Sequence, residues 1–146
     1  MSKYNIDPDK IKINDIIPQR PPMQLIKRVL EINDGYSECE AEITDRNPFI
    51  NNNKMPETFL IEMIAQSVAA VNGIKFKRRS DKSVPEGYLV GVKKFSIYKN
   101  IPLNQKLTIT VKETARLDNI SVYSGNVYNE NMNKICEGSL KFYLNT

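Results

Sequence analysis

Between Phe59 and Val71 almost every residue is apolar. Phe59, Leu60, Ile61, Met63, Ile64, Ala65, Val68, Ala69, Ala70 and Val71 are interrupted only by Glu62, Gln66 and Ser67. At helical spacing these side chains cover nearly every face, which marks a helix that is buried rather than laid on a surface. Pro56 suits the start of such a helix and Asn72-Gly73 its end, with glycine in the capping place. The stretch is shorter than a bilayer requires. The rest of the chain therefore has to cover this helix on more than one side.

That remainder reads as strands. Leu25 to Ile32 is one, closed by the turn Asn33-Asp34-Gly35. Tyr36 to Thr44 alternates, with Cys39, Ala41 and Ile43 inward and Glu38, Glu40 and Glu42 outward, and pairs with it as a hairpin. Residues 45–55 are polar and loop-like around Asn51-Asn52-Asn53, side chains that tolerate unusual backbone angles. Four further strands follow the helix: Tyr88 to Tyr98, Lys106 to Leu117, Ile120 to Tyr128 and Lys134 to Leu144. In the second of these Leu107, Ile109, Val111, Ala115 and Leu117 are expected inward. In the last, Cys136, Leu140, Phe142 and Leu144 share one face. Asp7-Pro8 reads as the cap and first residue of a short N-terminal helix that Pro18 ends. Lys75 to Pro85 reads as a basic, polar linker. Two strands, a buried helix and four strands imply an α+β fold over residues 1–146, an antiparallel sheet curled around one long central helix. One small sheet leaves such a helix incompletely covered, so a dimer is expected.

The chemistry is narrowed most by a count of zero: the 146 residues include no histidine. Serine–histidine and cysteine–histidine catalysis, imidazole zinc sites and histidine acid–base chemistry are excluded. Two cysteines cannot by themselves hold a zinc ion or an iron–sulfur cluster, and the six glycines are too scattered for a phosphate cradle. No metal and no cofactor are expected, and a carboxylate must lead any catalysis. The low cysteine count and the absence of a signal-peptide pattern at the start point to the cytoplasm. Net charge is +4, from 21 basic and 17 acidic residues, a mild lean toward acidic partners. Only Lys75-Phe76-Lys77-Arg78-Arg79 mixes basic and aromatic residues, so neither nucleic acid nor membrane is an expected partner.

Three stretches carry a resemblance. They are Ile17-Pro18-Gln19-Arg20-Pro21-Pro22-Met23-Gln24-Leu25-Ile26-Lys27-Arg28-Val29-Leu30, then Met55-Pro56-Glu57-Thr58-Phe59-Leu60-Ile61-Glu62-Met63-Ile64-Ala65-Gln66, then Leu89-Val90-Gly91-Val92-Lys93-Lys94-Phe95 with Pro102. In that order the chain resembles the hotdog-fold 3-hydroxyacyl-acyl-carrier-protein dehydratases, especially their divergent aryl-polyene-type branch. The resemblance implies a single hotdog domain, at least a homodimer, with an acyl tunnel along the helix. In that family a helix carboxylate and a loop histidine from different subunits act on the thioester. The histidine takes the α-proton, the carboxylate protonates the departing β-hydroxyl, and N–H groups at the helix N-terminus hold the enolate-like oxygen.

Carried onto this sequence, Glu62 matches the carboxylate and Gln66, one turn later, its supporting glutamine. Met55, Pro56, Glu57 and Thr58 would surround the thioester oxygen, with Gln19 and Arg20 nearby or simply closing the N-terminal loop. The histidine slot falls in the 48–54 loop, which has none. Gln19 stands where the leading motif usually carries histidine, Lys27 where it carries aspartate, and Glu57 where it carries glycine. The resemblance implies a dehydratase-like lyase of fatty-acid or polyketide-like metabolism, taking acyl-carrier-protein or coenzyme A thioesters, with Glu62 as the remaining acid–base. Two alternatives stay open: a hotdog thioesterase in which Glu62 activates water, and an inactive acyl-binding subunit paired with a competent dehydratase, as a heterodimer or larger oligomer. The basic run Lys75, Lys77, Arg78, Arg79 and Lys82 is either a solvated linker or a docking patch for an acidic carrier protein.

Overall fold

A computed structural model describes residues 10–33, 35–79 and 86–145. Strands β1 (Ile26–Asn33) and β2 (Tyr36–Glu42) come first, then helix α1 (Thr58–Arg79). Strands β3 (Glu86–Ile97), β4 (Lys106–Leu117), β5 (Ile120–Tyr128) and β6 (Lys134–Asn145) complete a six-stranded antiparallel sheet ordered β1-β2-β4-β5-β6-β3. The β1–β2 hairpin closes tightly, Asn33 pairing with Tyr36 and Gly35 taking a φ of 79° that side chains disfavour.

Helix α1 packs on one face of the sheet, against β1, β2, β4 and β5. Leu60, Met63, Ile64, Val68, Ala70, Val71 and Ile74 meet inward strand residues such as Cys39, Ala41, Leu107, Ile109, Val127 and Leu140 in one apolar core. Close approach depends on Gly125 in β5, where an added Cβ would fall 2.5 Å from Ile64 Cγ2.

The helix does not stop at Gly73. It continues to Arg79, so the expected linker at 75–79 is helical. Gly73 is buried and Ile74, beyond it, is 5% exposed. Burial of the next turn outweighs glycine's helical penalty of about 1 kcal/mol. Thr58–Phe76, with mean hydropathy 1.3, thereby reaches membrane-spanning length by composition, but more than half of it is buried inside the fold.

A second departure lies in β4. The pairing shifts between Glu113 and Ala115, so Ala115 faces Val122 and Leu117 faces Ile120. This bulge moves Ala115 and Leu117, expected inward, to the outer face, where Leu117 is 75% exposed. It also brings Arg116 onto register with buried Ser121, on the helix side.

Asp7-Pro8, the expected start of the N-terminal helix, lies outside the described residues. The stretch before Pro18 holds a 3-10 turn at Ile13–Asp15. Pro18 and Pro21 have no N–H to offer the Asn14 and Ile17 carbonyls, and Arg20 donates to both instead.

Candidate functional site

The site is built at the front of α1. Met55 is buried, Pro56 has no N–H to place, and Glu57 and Thr58 are exposed. The first turn closes by Phe59 N–H donating to Pro56 O at 3.1 Å and Leu60 N–H to Glu57 O at 3.0 Å. Leading N–H groups, those of Glu57 and Thr58, stay outside the helical ladder, at the positive end of the dipole. Phe49 stacks on Phe59 with ring centroids 5.1 Å apart, seating the preceding loop against this turn. That loop ends in a tight turn: Asn51 and Lys54 exchange both backbone hydrogen bonds, and Asn52 and Asn53 take φ values of 53° and 63°. The asparagines do here what their side chains suit them for.

Glu62 lies one turn into the helix and is partly buried. Its Oε1 accepts from Gln66 Nε2 at 2.9 Å. Its second oxygen carries no bond among the described residues. Gln66 is 1% exposed and fully employed. Nε2 also donates to Met23 O at 2.7 Å, while Oε1 accepts from Leu25 N–H at 2.8 Å and, more weakly, Ile26 N–H at 3.4 Å. A single amide thus ties the segment before β1 to the middle of the helix and holds the Glu62 carboxylate in place. An amide so deep in an apolar helix demands such partners; the sequence pointed to the Glu62 contact but not to Met23 and Leu25.

Arg20 is spent on its own loop, donating to Ile17 O at 2.8 Å and to Gln19 O and Asn14 O at 2.9 Å. It closes the N-terminal segment, one of its two expected roles. Gln19 is partly buried, and its Oε1 is buried without a hydrogen-bond partner. Lys75 is partly buried toward the far end of α1. Lys77, Arg78 and Arg79 follow in the helical backbone, and their side chains lie outside the described ones; Lys82 lies outside the described residues altogether.

Cys39 and Cys136 are free and buried. Burial pushes both thiols up to about 12, so neither supplies a thiolate. Among the described residues no cluster of three or more acidic or cysteine side chains could hold a metal ion. The front of α1 thus carries one oriented carboxylate, that of Glu62, one turn beyond the N–H groups of Glu57 and Thr58 that the helical ladder leaves unused.

Known proteins share this fold. The solved structure of the dehydratase heterocomplex ApeI:P from Xenorhabdus doucetiae superposes with a TM-score of 0.82 at 20% identity, covering 97% of this chain and 93% of that one. A hypothetical thioesterase with coenzyme A from Streptococcus pneumoniae matches at 0.61 and 14% identity, covering 80% and 83%. By sequence, a 3-hydroxyacyl-acyl-carrier-protein dehydratase FabZ of Streptococcus mutans is 29% identical over 119 residues, 78% of this chain and 82% of that protein. An uncharacterised thioester dehydrase of Halalkalibacterium halodurans is 24% identical over 147 residues, 93% of this chain and 92% of its own. The ApeP-like family, described as ApeP dehydratase, matches residues 11–146. Through that match the chain belongs to the ApeP-like dehydratase family, as a hotdog-fold protein of the thioester dehydratase kind.

Proposed function

We propose that the chain dehydrates 3-hydroxyacyl thioesters and that Glu62 is its acid–base. The observation that carries this is the Gln66–Glu62 hydrogen bond, which leaves one carboxylate oxygen free on a fixed side chain beside the helix start. The free oxygen takes the proton from the α-carbon. The C–H electrons form the α–β double bond as the β-carbon–oxygen bond breaks, and the proton is delivered to the leaving hydroxyl, which departs as water. N–H groups of Glu57 and Thr58 stabilise the thioester oxygen while it carries charge. Gln66 is a positioning residue, and Gln19 completes the surrounding wall. The substrate is carried on acyl carrier protein or coenzyme A, and the basic sequence at the end of α1 favours an acidic carrier. Two buried free thiols accord with a reducing cytoplasm.

A second reading, in which the chain is one half of a mixed assembly, is favoured by strand β3. It is an edge strand, and Tyr88, Leu89, Val90 and Val92 are exposed along it, Val90 at 53%. An apolar edge of this length is built to be paired. A second hotdog subunit, identical or related, would extend the sheet there, and the heterocomplex similar to this chain supports a related one.

The experiment is mass spectrometry of 3-hydroxyacyl and saturated acyl thioesters incubated with the protein and with Glu62→Gln. Loss of water, reduced at least about 100-fold in the variant, supports the proposal. Release of free acid moves the chain to thioesterases. Intact substrates that bind move it to the subunit reading, which is then tested by adding the partner.

A further inference from the structure

The outer face of the sheet, turned away from α1, is ordered across four strands. Leu117 in β4 pairs with Ile120 in β5, Ile120 with Tyr143 in β6, and Tyr143 with Tyr88 in β3. Their strand neighbours Ser121 and Phe142 are buried on the helix side, so these four side chains share one row on the outside. The row is open: Leu117 is 75% exposed, Tyr88 48% and Tyr143 39%.

Two further rows run parallel to it. Lys141, two residues from Tyr143 and so about 7 Å along the strand, stands opposite Val122. Two residues further, about 13 Å from the apolar row, the pairs Lys93–Ser139, Ser139–Ser124 and Ser124–Lys112 make a row with a lysine at each end. All three lysines are exposed, and no position in the three rows is acidic. Asp118, in the turn after β4, and Glu86, at the start of β3, lie past the apolar row on the side away from the lysines.

We infer that this face docks on an anionic lipid surface, the apolar row sinking between headgroups and acyl chains while the lysines meet phosphates. An apolar face of this kind sinks about 5–10 Å, which matches the offset of Lys141 from the apolar row. Lys93 and Lys112 bend their stems to reach the same layer, and tyrosine suits that boundary. Charge selects lipid over a second copy of the chain. A copy packed on this face would set lysine against lysine with no carboxylate between them. A stable protein interface also needs about 800 Å² on each side, and four partly exposed side chains offer well under half of that. A strand added beside β3 would use that strand's edge and leave the face open. A linear reading expects no membrane partner because the rows run across strands and leave no single amphipathic segment.

The test is co-sedimentation with vesicles of phosphatidylcholine alone and of phosphatidylcholine and phosphatidylglycerol mixed three to one. The protein is expected to follow the mixed vesicles, to leave them at high salt, and to ignore phosphatidylcholine alone. Leu117→Ser weakens binding by about tenfold. Lys93→Gln, Lys112→Gln and Lys141→Gln each weaken it by about fivefold. Failure to follow the mixed vesicles overturns the inference. So does equal binding by wild type and all four variants, which would put the contact on another surface. If Leu117→Ser does not melt cooperatively, the lysine variants decide. Light scattering without vesicles supplies the last check: an oligomer that Leu117→Ser breaks into smaller species gives the face to a second copy and overturns the lipid reading.

Discussion

Gln66→Leu removes the amide that joins helix to strand while nearly keeping its volume. The Leu25 N–H, 2% exposed in context, loses its 2.8 Å acceptor, and a buried donor left unmet costs about 1–3 kcal/mol. The partly buried Met23 carbonyl loses its 2.7 Å donor, worth about 1 kcal/mol. Together the loss is about 2–4 kcal/mol. For 146 residues unfolding entropy near 2.1 cal/mol/K per residue turns this into a Tm lower by roughly 6–13 °C. Gln66→Glu separates the causes. At neutral pH its carboxylate faces both the Met23 carbonyl and Glu62, so burial and like charge raise its folded pKa above the unfolded value. Stability of that variant is then present below about pH 4.3, the ordinary glutamate value, and is lost as pH rises toward the folded pKa. The gap to wild type should narrow in acid for Gln66→Glu and stay constant for Gln66→Leu. Urea melts of all three proteins at two pH values read both effects. A Gln66→Leu loss under about 1 kcal/mol would refute the argument.

Three further outcomes are expected. Gly125→Ala drives a methyl into Ile64 and should cost about 1–3 kcal/mol, with Ile64→Ala partly compensating in the double variant; strictly additive urea-melt values would remove the claim of close approach. Both cysteines should resist a thiol reagent at pH 8 in the folded protein and react on denaturation, because burial lifts them to about 12; rapid native labelling contradicts this. Arg116 hydrogen bonding holds the Glu113 carboxyl below its usual value, a stabilisation present above the unfolded pKa and lost as pH falls through the folded one. Arg116→Gln should therefore be less stable than wild type at neutral pH and converge with it in acid, as thermal melts across that range would show.

Regular alternation and punctuation made most of this fold legible. The bounds of β4 and β5 could be read from the turns that flank them, and the all-round apolar helix between two strands and four required a sheet to cover it. Glu62 and Gln66 stood out because polar groups in such a helix are costly without a task. What stayed hidden depended on distant neighbours. Gly73 reads as a stop until Ile74 is seen to be buried. The bulge that turns Leu117 out and sets the exposed Arg116 opposite Ser121 leaves no mark on the alternation of β4, so the Glu113–Arg116 pair could not be read from it. The bonds from Gln66 to Met23 and Leu25 join residues some forty positions apart.

The open flank of β3 also bears on how a cell can handle this protein. Among the described residues the outer edge of β3 has no neighbouring strand, and consecutive apolar residues along such an edge can recruit a similar strand and seed aggregation. Lys93 and Lys94, exposed on the same strand, supply charge that discourages stacking, and the kinked backbone at Lys94, with φ of 51°, breaks the flat edge there. Protection therefore covers one half of the strand and leaves Tyr88 to Val92 dependent on company. On the mixed-assembly reading proposed above, solubility of this chain during expression should rise when the second hotdog subunit is produced alongside it.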